Sequence, residues 1–154
     1  MSSVHKLEQI IRVVPNRLLC LSDASSSIQP APVKWSPKQE LGHLIDSAAN
    51  NHQRIVRSQL EDRPRLRGYN GDVWVLFHAY QQREWRELVG LWRSLNRQLI
   101  RAAESISDDG WVRTCTIDDS QPLTIRFIVD DYVVHLLHHL AHIGVQVSEF
   151  AGGS

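Results

Sequence analysis

The sequence predicts an all-α fold, a four-helix bundle with a long connector between the second and third helices. Four segments of the 154-residue chain carry apolar residues at the three- and four-residue spacing of amphipathic helices, and little of the chain alternates as strands do. Four such helices can bury their apolar faces against one another. A chain of this length buries a sizeable core without disulfides, so residues 1–154 are expected to form a single domain.

The first predicted helix covers about residues 4–21, where aliphatic side chains recur at helical spacing. Pro15 interrupts this pattern and is expected to kink or split the helix, because proline has no backbone N–H and its ring crowds the preceding turn. A segment rich in serine and proline follows at 25–32, and its composition predicts a loop.

The second predicted helix has the clearest beginning in the chain. Ser36 suits the N-cap, Pro37 suits the first helical position, and Gln39 completes a capping box with Ser36. The helix is expected to end near residue 62. The connector that follows, residues 63–80, is rich in aromatic residues, and connectors of this length are usually functional or packed against the body of the protein.

The third predicted helix covers about residues 82–106, where tryptophan and leucine recur at the spacing of a bundle seam. The segment 107–110 ends it. Residues 111–122 are expected to be irregular, and a short hairpin around 118–121 is considered. The last helix is predicted to run from about 124 to 150.

The charge balance argues against two classes of partner. Lysine plus arginine and aspartate plus glutamate both number 17, so neither nucleic acid nor an anionic membrane is expected as a partner. No apolar run is long enough to span a membrane, and the N-terminus lacks the continuous apolar stretch of a signal peptide. Two isolated cysteines suit a reducing compartment, so the protein is expected to be cytoplasmic.

Histidines are concentrated in the last predicted helix, which carries His135, His138, His139 and His142. Imidazole is the commonest transition-metal ligand, and helical residues four apart lie side by side, so 135/139 and 138/142 are both candidate ligand pairs. Helical phase favours His135 with His139, because the other two point away from the apolar face. The alternative is a histidine-rich polar face that binds no metal.

A third ligand must come from elsewhere in the fold, and the second helix offers His43 and His52. Phase favours His52, which lies on the apolar face, although a single histidine there is more often a hydrogen-bonded core residue. The residues alone leave this choice open. Asp46 and Asp131 each lie one turn from a candidate ligand and could orient an imidazole or act as a base through water, although a solvated helix face is the better explanation for each taken singly.

Three segments of this chain carry motifs in a distinctive order: a tryptophan eight residues before a histidine at Trp35 and His43, the segment 68–74, and the pair His135 and His139 four apart. In this order the segments resemble the DinB/YfiT-like superfamily of small metal-binding four-helix bundles, and 68–74 is similar to a loop of its YfiT-like branch. His135 and His139 match the family's HxxxH near the end of the last helix. The family commonly has a glutamine three residues further on, where this chain has His142, and this leaves open whether His142 is an outer partner or an alternative ligand with His138.

The resemblance implies that His43, His135 and His139 bind a divalent transition metal such as Zn, Ni, Fe or Mn. It implies an enzyme that acts on a small molecule, by hydrolysis or by transfer of a low-molecular-weight thiol, with thiolate or hydroxide activated by the metal as nucleophile. Asp46 is the predicted catalytic residue, and the connector residues Tyr69, Asp72, Trp74 and His78 could line or cover the pocket. The alternative is a non-catalytic bundle that binds metal or a protein partner, and a homodimer is considered for either function.

Overall fold

Four long helices form the body of the protein, as the sequence predicts. This computed structural model describes residues 2–151. Its α-helices, in chain order, are α1 (Ser3–Leu18), α2 (Asp23–Ser26), α3 (Pro37–Leu60), α4 (Gly71–Phe77), α5 (Trp85–Glu104), α6 (Ile125–Ile143) and α7 (Ser148–Ala151). The bundle is built from α1, α3, α5 and α6, and α3 packs against both α5 and α6. None of the described helices is both long and apolar enough to cross a membrane.

The helix starts follow the local sequence. The capping box predicted for α3 is present, since Ser36 Oγ accepts a hydrogen bond from the Gln39 N–H at 3.3 Å and Gln39 Oε1 accepts one from the Ser36 N–H at 3.0 Å. The predicted split of α1 at Pro15 is wrong, because the helix continues to Leu18. Proline removes a single N–H, and here it does so one turn from the end of the helix, where the ring is buried.

The connector between α3 and α5 is more structured than the sequence suggests. It contains a short strand, β1 (Arg65–Leu66), the helix α4 and a 3₁₀ turn at Tyr80–Gln82. The hairpin considered after α5 is confirmed, with β2 (Thr114–Ile117) antiparallel to β3 (Leu123–Thr124). Since β1 pairs with β2 in parallel, this small sheet fastens the connector to the segment between α5 and α6.

The last helix is shorter than predicted, because it ends at Ile143 rather than near residue 150. Gly144 adopts a left-handed conformation with φ of +85°, which glycine tolerates without the steric cost of a Cβ, and its N–H bonds back to carbonyls of the last turn. The chain then passes to α7.

The third predicted helix is also shorter than expected. Helix α5 begins at Trp85 rather than near residue 82, because the 3₁₀ turn Tyr80–Gln82 occupies the predicted start.

The core lies between the four long helices and is mainly aliphatic, with two fully buried tryptophans and one tyrosine. Two of these three side chains have hydrogen-bond partners within the bundle, whereas Trp92 Nε1 is buried without one. Trp85 Nε1 donates to the Leu18 carbonyl at 2.8 Å, and the Tyr132 hydroxyl donates to Asn96 Oδ1 at 2.5 Å. These bonds tie α5 to α1 and to α6, so they help to set how the helices face one another.

Candidate metal centre

One face of α3 carries polar side chains through the interior of the bundle. This polar stripe has the three- and four-residue spacing that keeps residues on one side of a helix, and it consists of Glu40, His43, Ser47, Asn51 and Arg54. The first four are buried and the last is half-buried. Buried polar groups are costly unless they find hydrogen-bond partners. For the first three residues, the partners come from α6.

Three imidazoles converge where the polar stripe meets α6. His43 faces His135 and His139, and the ring centroids of the three pairs are 4.5–4.9 Å apart. Nε2 of His43 lies 3.0 Å from Nε2 of His135, and one nitrogen of each ring lies within 4.8 Å of the others. The structure therefore brings together the three histidines that the resemblance implies. His52, the other candidate on α3, is half-buried and stands outside this group.

The donor atoms and their spacing fit a divalent transition metal. Metal–nitrogen bonds of about 2.0–2.1 Å in tetrahedral geometry place two ligand nitrogens about 3.3–3.4 Å apart, close to the 3.0 Å between the His43 and His135 nitrogens. Nitrogens that face each other at this distance need a shared proton or a shared cation. Nδ1 of His43 is buried without a hydrogen-bond partner, so no described neighbour dictates which nitrogen of this ring carries the proton.

The α6 imidazoles are oriented by groups on the polar stripe. Nδ1 of His139 donates to Glu40 Oε2 at 2.6 Å, and Nδ1 of His135 makes a longer contact of 3.4 Å with Ser47 Oγ. A carboxylate only accepts hydrogen bonds, so Glu40 keeps the proton of His139 on Nδ1 and leaves Nε2 with a lone pair. Metal-binding histidines are commonly held in this way. Sequence reasoning missed Glu40, although its position one turn before His43 on α3 was the available signal.

Burial keeps two of these imidazoles neutral. Loss of hydration lowers the pKa of His43 from its ordinary 6.5 to about 3, with smaller contributions from the neighbouring His139 and His135. Burial is also the main cause that lowers the pKa of His135 to about 4. Near neutral pH both rings therefore offer a nitrogen lone pair rather than a positive charge, which is the state that a metal ion requires.

The remaining histidines of α6 lie outside the three-imidazole group, as the helical phase predicts. His138 and His142 are exposed. Nδ1 of His142 lies 3.2 Å from Glu40 Oε1, so this carboxylate contacts two imidazoles at once, through one oxygen each. His142 is thus a hydrogen-bond partner of Glu40 through Nδ1.

Asp46 points towards the connector. Its Oδ1 accepts a hydrogen bond from the Tyr80 hydroxyl at 2.6 Å and lies 3.0 Å from Nδ1 of His78, while Oδ2 is buried without a partner. Burial is the main cause that raises the pKa of Asp46. Among the described residues, no hydrogen bond joins Asp46 to the three converging histidines. Asp131, the other carboxylate considered, is exposed on α6.

Aromatic residues from two loops cover the three-imidazole group. The Trp35 ring lies 5.0 Å from the His43 ring and the Tyr69 ring lies 6.5 Å from it. Gly71, at the start of α4, approaches so closely that a Cβ there would lie 2.9 Å from His43 Cε1. Of the other connector residues predicted to line a pocket, Trp74 packs on Tyr69 at 5.0 Å, whereas Asp72 is exposed.

Comparison with known proteins agrees with this architecture. The sequence pattern of the DinB superfamily matches residues 6–143. A candidate metal-dependent hydrolase of Oceanobacillus iheyensis, OB0782, is 24% identical over 140 residues, which are 91% of this chain and 81% of that protein. YfiT of Bacillus subtilis, also a candidate metal-dependent hydrolase, is 24% identical over 88% of this chain and 79% of its own length.

Two solved structures show the same fold. The structure of YfiT, described as an unusual four-helix bundle, superposes with a TM-score of 0.79 at 23% identity and covers 96% of this chain and 85% of YfiT. A mycothiol-dependent maleylpyruvate isomerase superposes with a TM-score of 0.76 at 11% identity, and the match spans 93% of this chain but 60% of the isomerase. Such low identities support a shared fold, and the family follows from the sequence match: this chain is a member of the DinB superfamily.

Proposed function

We propose that this protein is a metal-dependent enzyme that acts on a small molecule, with His43, His135 and His139 as the ligands of one divalent transition metal ion. The observation that carries the proposal is the convergence of three imidazoles from two helices, with nitrogens within 4.8 Å of one another. Imidazole ligands favour Zn, Ni or Fe over Mn, which prefers oxygen donors.

Three protein ligands leave coordination positions open, and an ion in such a site can acidify a bound water or thiol and polarise a carbonyl group. The chain's own contribution is to present neutral nitrogens in a fixed arrangement. Glu40 holds the His139 ring in the required tautomer, and the cover of Trp35 and Tyr69 limits access of bulk water to the histidines.

Asp46 acts in this proposal through His78, as a positioning residue. The carboxylate lies 3.0 Å from Nδ1 of His78, whose side chain is 39% exposed, and it therefore favours a proton on Nδ1 and a free Nε2. A histidine held in this way can accept and return a proton at the edge of the aromatic cover. His78 is linked to that cover, since its ring lies 5.8 Å from Trp74, which packs on Tyr69.

Arg54 gives the proposed substrate a chemical character. It lies on the polar stripe about three turns beyond His43, is half-buried, and donates from one nitrogen to Asn51 Oδ1 at 3.3 Å. No carboxylate within residues 2–151 forms an ion pair with it. A half-buried guanidinium without a carboxylate partner, on the same helix face as His43, suits a substrate carboxylate or phosphate. The proposed substrate is therefore a small anion.

Hydrolysis and thiol transfer are the two reactions considered. The curated relatives described above are candidate metal-dependent hydrolases, and one protein of the same fold is a mycothiol-dependent isomerase. A non-catalytic interaction module would more readily expose an apolar face on α1 or α5. Within the described residues, neither helix exposes a large apolar side chain, whereas α4 exposes Val73, Leu76 and Phe77. The enzyme is therefore favoured by the converging histidines rather than by the exposed surface, and a homodimer stays a prediction for sedimentation analysis.

The first experiment is elemental analysis of the purified, untagged protein beside single alanine variants of His43, His135 and His139. The proposal predicts that each variant loses the tightly bound ion while its far-UV circular dichroism remains helical. His52→Ala is the matched control, since it removes a histidine of α3 outside the group. If His135→Ala keeps full metal occupancy, the ligand assignment is wrong.

The second experiment tests activity on the metal-loaded protein. One set of assays supplies small anionic esters and amides, and a second supplies a low-molecular-weight thiol with an electrophilic anion. Activity that is lost in His43→Ala and has a raised KM in Arg54→Ala supports the enzyme and its preference for anions. Metal binding without turnover in either set would favour the non-catalytic bundle.

A further inference from the structure

A second pair of imidazoles lies on the outer side of α6. His138 and His142 are four residues apart on one face of the helix, and their ring centroids are 4.2 Å apart. Both residues are exposed. His138 also lines an open groove of about 1440 Å³, so dissolved ions can reach it. The proposed enzyme site uses neither residue.

Glu40 links this outer pair to the interior. Its Oε2 lies 2.6 Å from Nδ1 of His139, and its Oε1 lies 3.2 Å from Nδ1 of His142. Since a carboxylate accepts from both rings, the proton of His142 is held on Nδ1, and Nε2 keeps a lone pair beside His138. One buried carboxylate thus orients one imidazole of the inner group and one of the outer pair, in the manner of a metal ligand.

We propose that His138 and His142 form a second, exposed binding site for a divalent transition metal, with water completing the coordination. The ligand chemistry selects ions that favour imidazole, such as Zn, Ni or Cu. The helix sets the spacing of the two rings, and Glu40 restricts the orientation of one of them, so part of the ordering cost is met before an ion binds. This site does not depend on the proposed enzymatic function.

The test is equilibrium dialysis of untagged protein against buffered zinc, with elemental analysis of the bound ion and circular dichroism as a check of folding. We expect wild type to bind two zinc ions per chain, the outer one more weakly. His138→Ala and His142→Ala should each bind one fewer. Each substitution removes one of the two ligands of the outer site. The affinity of that site should therefore fall by more than the roughly 10- to 100-fold loss caused by removing a hydrogen-bond partner of a metal ligand.

Two further variants separate this proposal from the proposed function. His5→Ala, an exposed histidine on α1, is the matched control and should bind as much zinc as wild type. His43→Ala should lose the inner ion and keep the outer one. If either His138→Ala or His142→Ala binds as many zinc ions as wild type, the outer site is refuted. If only the proposed function fails, wild type binds one zinc ion, at the outer site. His138→Ala and His142→Ala each still lose that ion.

Discussion

Replacing Gly42 by alanine tests how closely the connector packs against α3. A Cβ at this position would have three side-chain carbons of Tyr80 within 3.0 Å, and the farthest of them, the Tyr80 Cβ, would lie at 2.8 Å. These are the ring and its attachment point rather than a flexible tip. Tyr80 is 2% exposed, and its hydroxyl is bonded to Asp46 at 2.6 Å. The ring therefore cannot move aside without breaking a buried hydrogen bond.

The expected change in the free energy of unfolding of Gly42→Ala follows from two opposed effects. Overpacking in a core costs about 1–3 kcal/mol, and the close contacts with Tyr80 place this change at the upper end. Alanine in a helix interior offsets about 0.5–1 kcal/mol of that cost, because glycine loses more backbone entropy. We therefore expect Gly42→Ala to lower the free energy of unfolding by about 2 kcal/mol and Tm by about 4–8 °C.

Gly90 provides the matched control, because it also lies inside a long helix, α5, and nothing lies within 4 Å of the position of its Cβ. Gly90→Ala should raise the free energy of unfolding by about 0.5–1 kcal/mol. Urea unfolding followed by circular dichroism measures both variants on the metal-free protein. A Gly42→Ala protein as stable as wild type would refute the close packing of Tyr80 on α3.

Three further predictions follow from buried groups. Glu40→Gln should weaken metal binding at the inner site about 10- to 100-fold by losing the carboxylate that orients His139, as measured by competition with a chelator, and unchanged affinity would contradict that role. Because the pKa values of His43 and His135 are lowered to about 3 and 4, the unfolded chain takes up protons below about pH 6.5 that the folded metal-free chain does not. Its free energy of unfolding should therefore fall as pH drops from 6.5 towards 4, with a smaller slope in His43→Asn; equal slopes would count against the lowered pKa. Tyr132→Phe should cost about 1–3 kcal/mol by leaving its buried amide partner on α5 without a donor, and urea unfolding that matches wild type would exclude this.

Much of the fold could be predicted because its signals are local. Apolar spacing located the four long helices, and the capping box at Ser36 located the start of α3 within one residue. The errors at helix ends are local too. Gly144 ends α6 seven residues before the predicted boundary, because its left-handed conformation supplies a stop that the apolar pattern beyond it obscured. The disruption expected at Pro15 was overestimated, because a proline near the end of a helix interrupts few backbone hydrogen bonds.

By itself, the sequence determined the helices and the register of the histidines on α6, because both depend on residues three or four apart. Which groups meet across helices was decided only by the tertiary structure. His43 and His135 are 92 residues apart and Glu40 and His139 are 99 apart, and their contacts arise from how α3 packs on α6. Helical phase on α3 favoured His52 over His43, because His43 lies on the polar stripe and not on the apolar face. The polar stripe is nevertheless buried, since polar side chains of α6 pack against it. Only the packed bundle shows that a polar face lies inside.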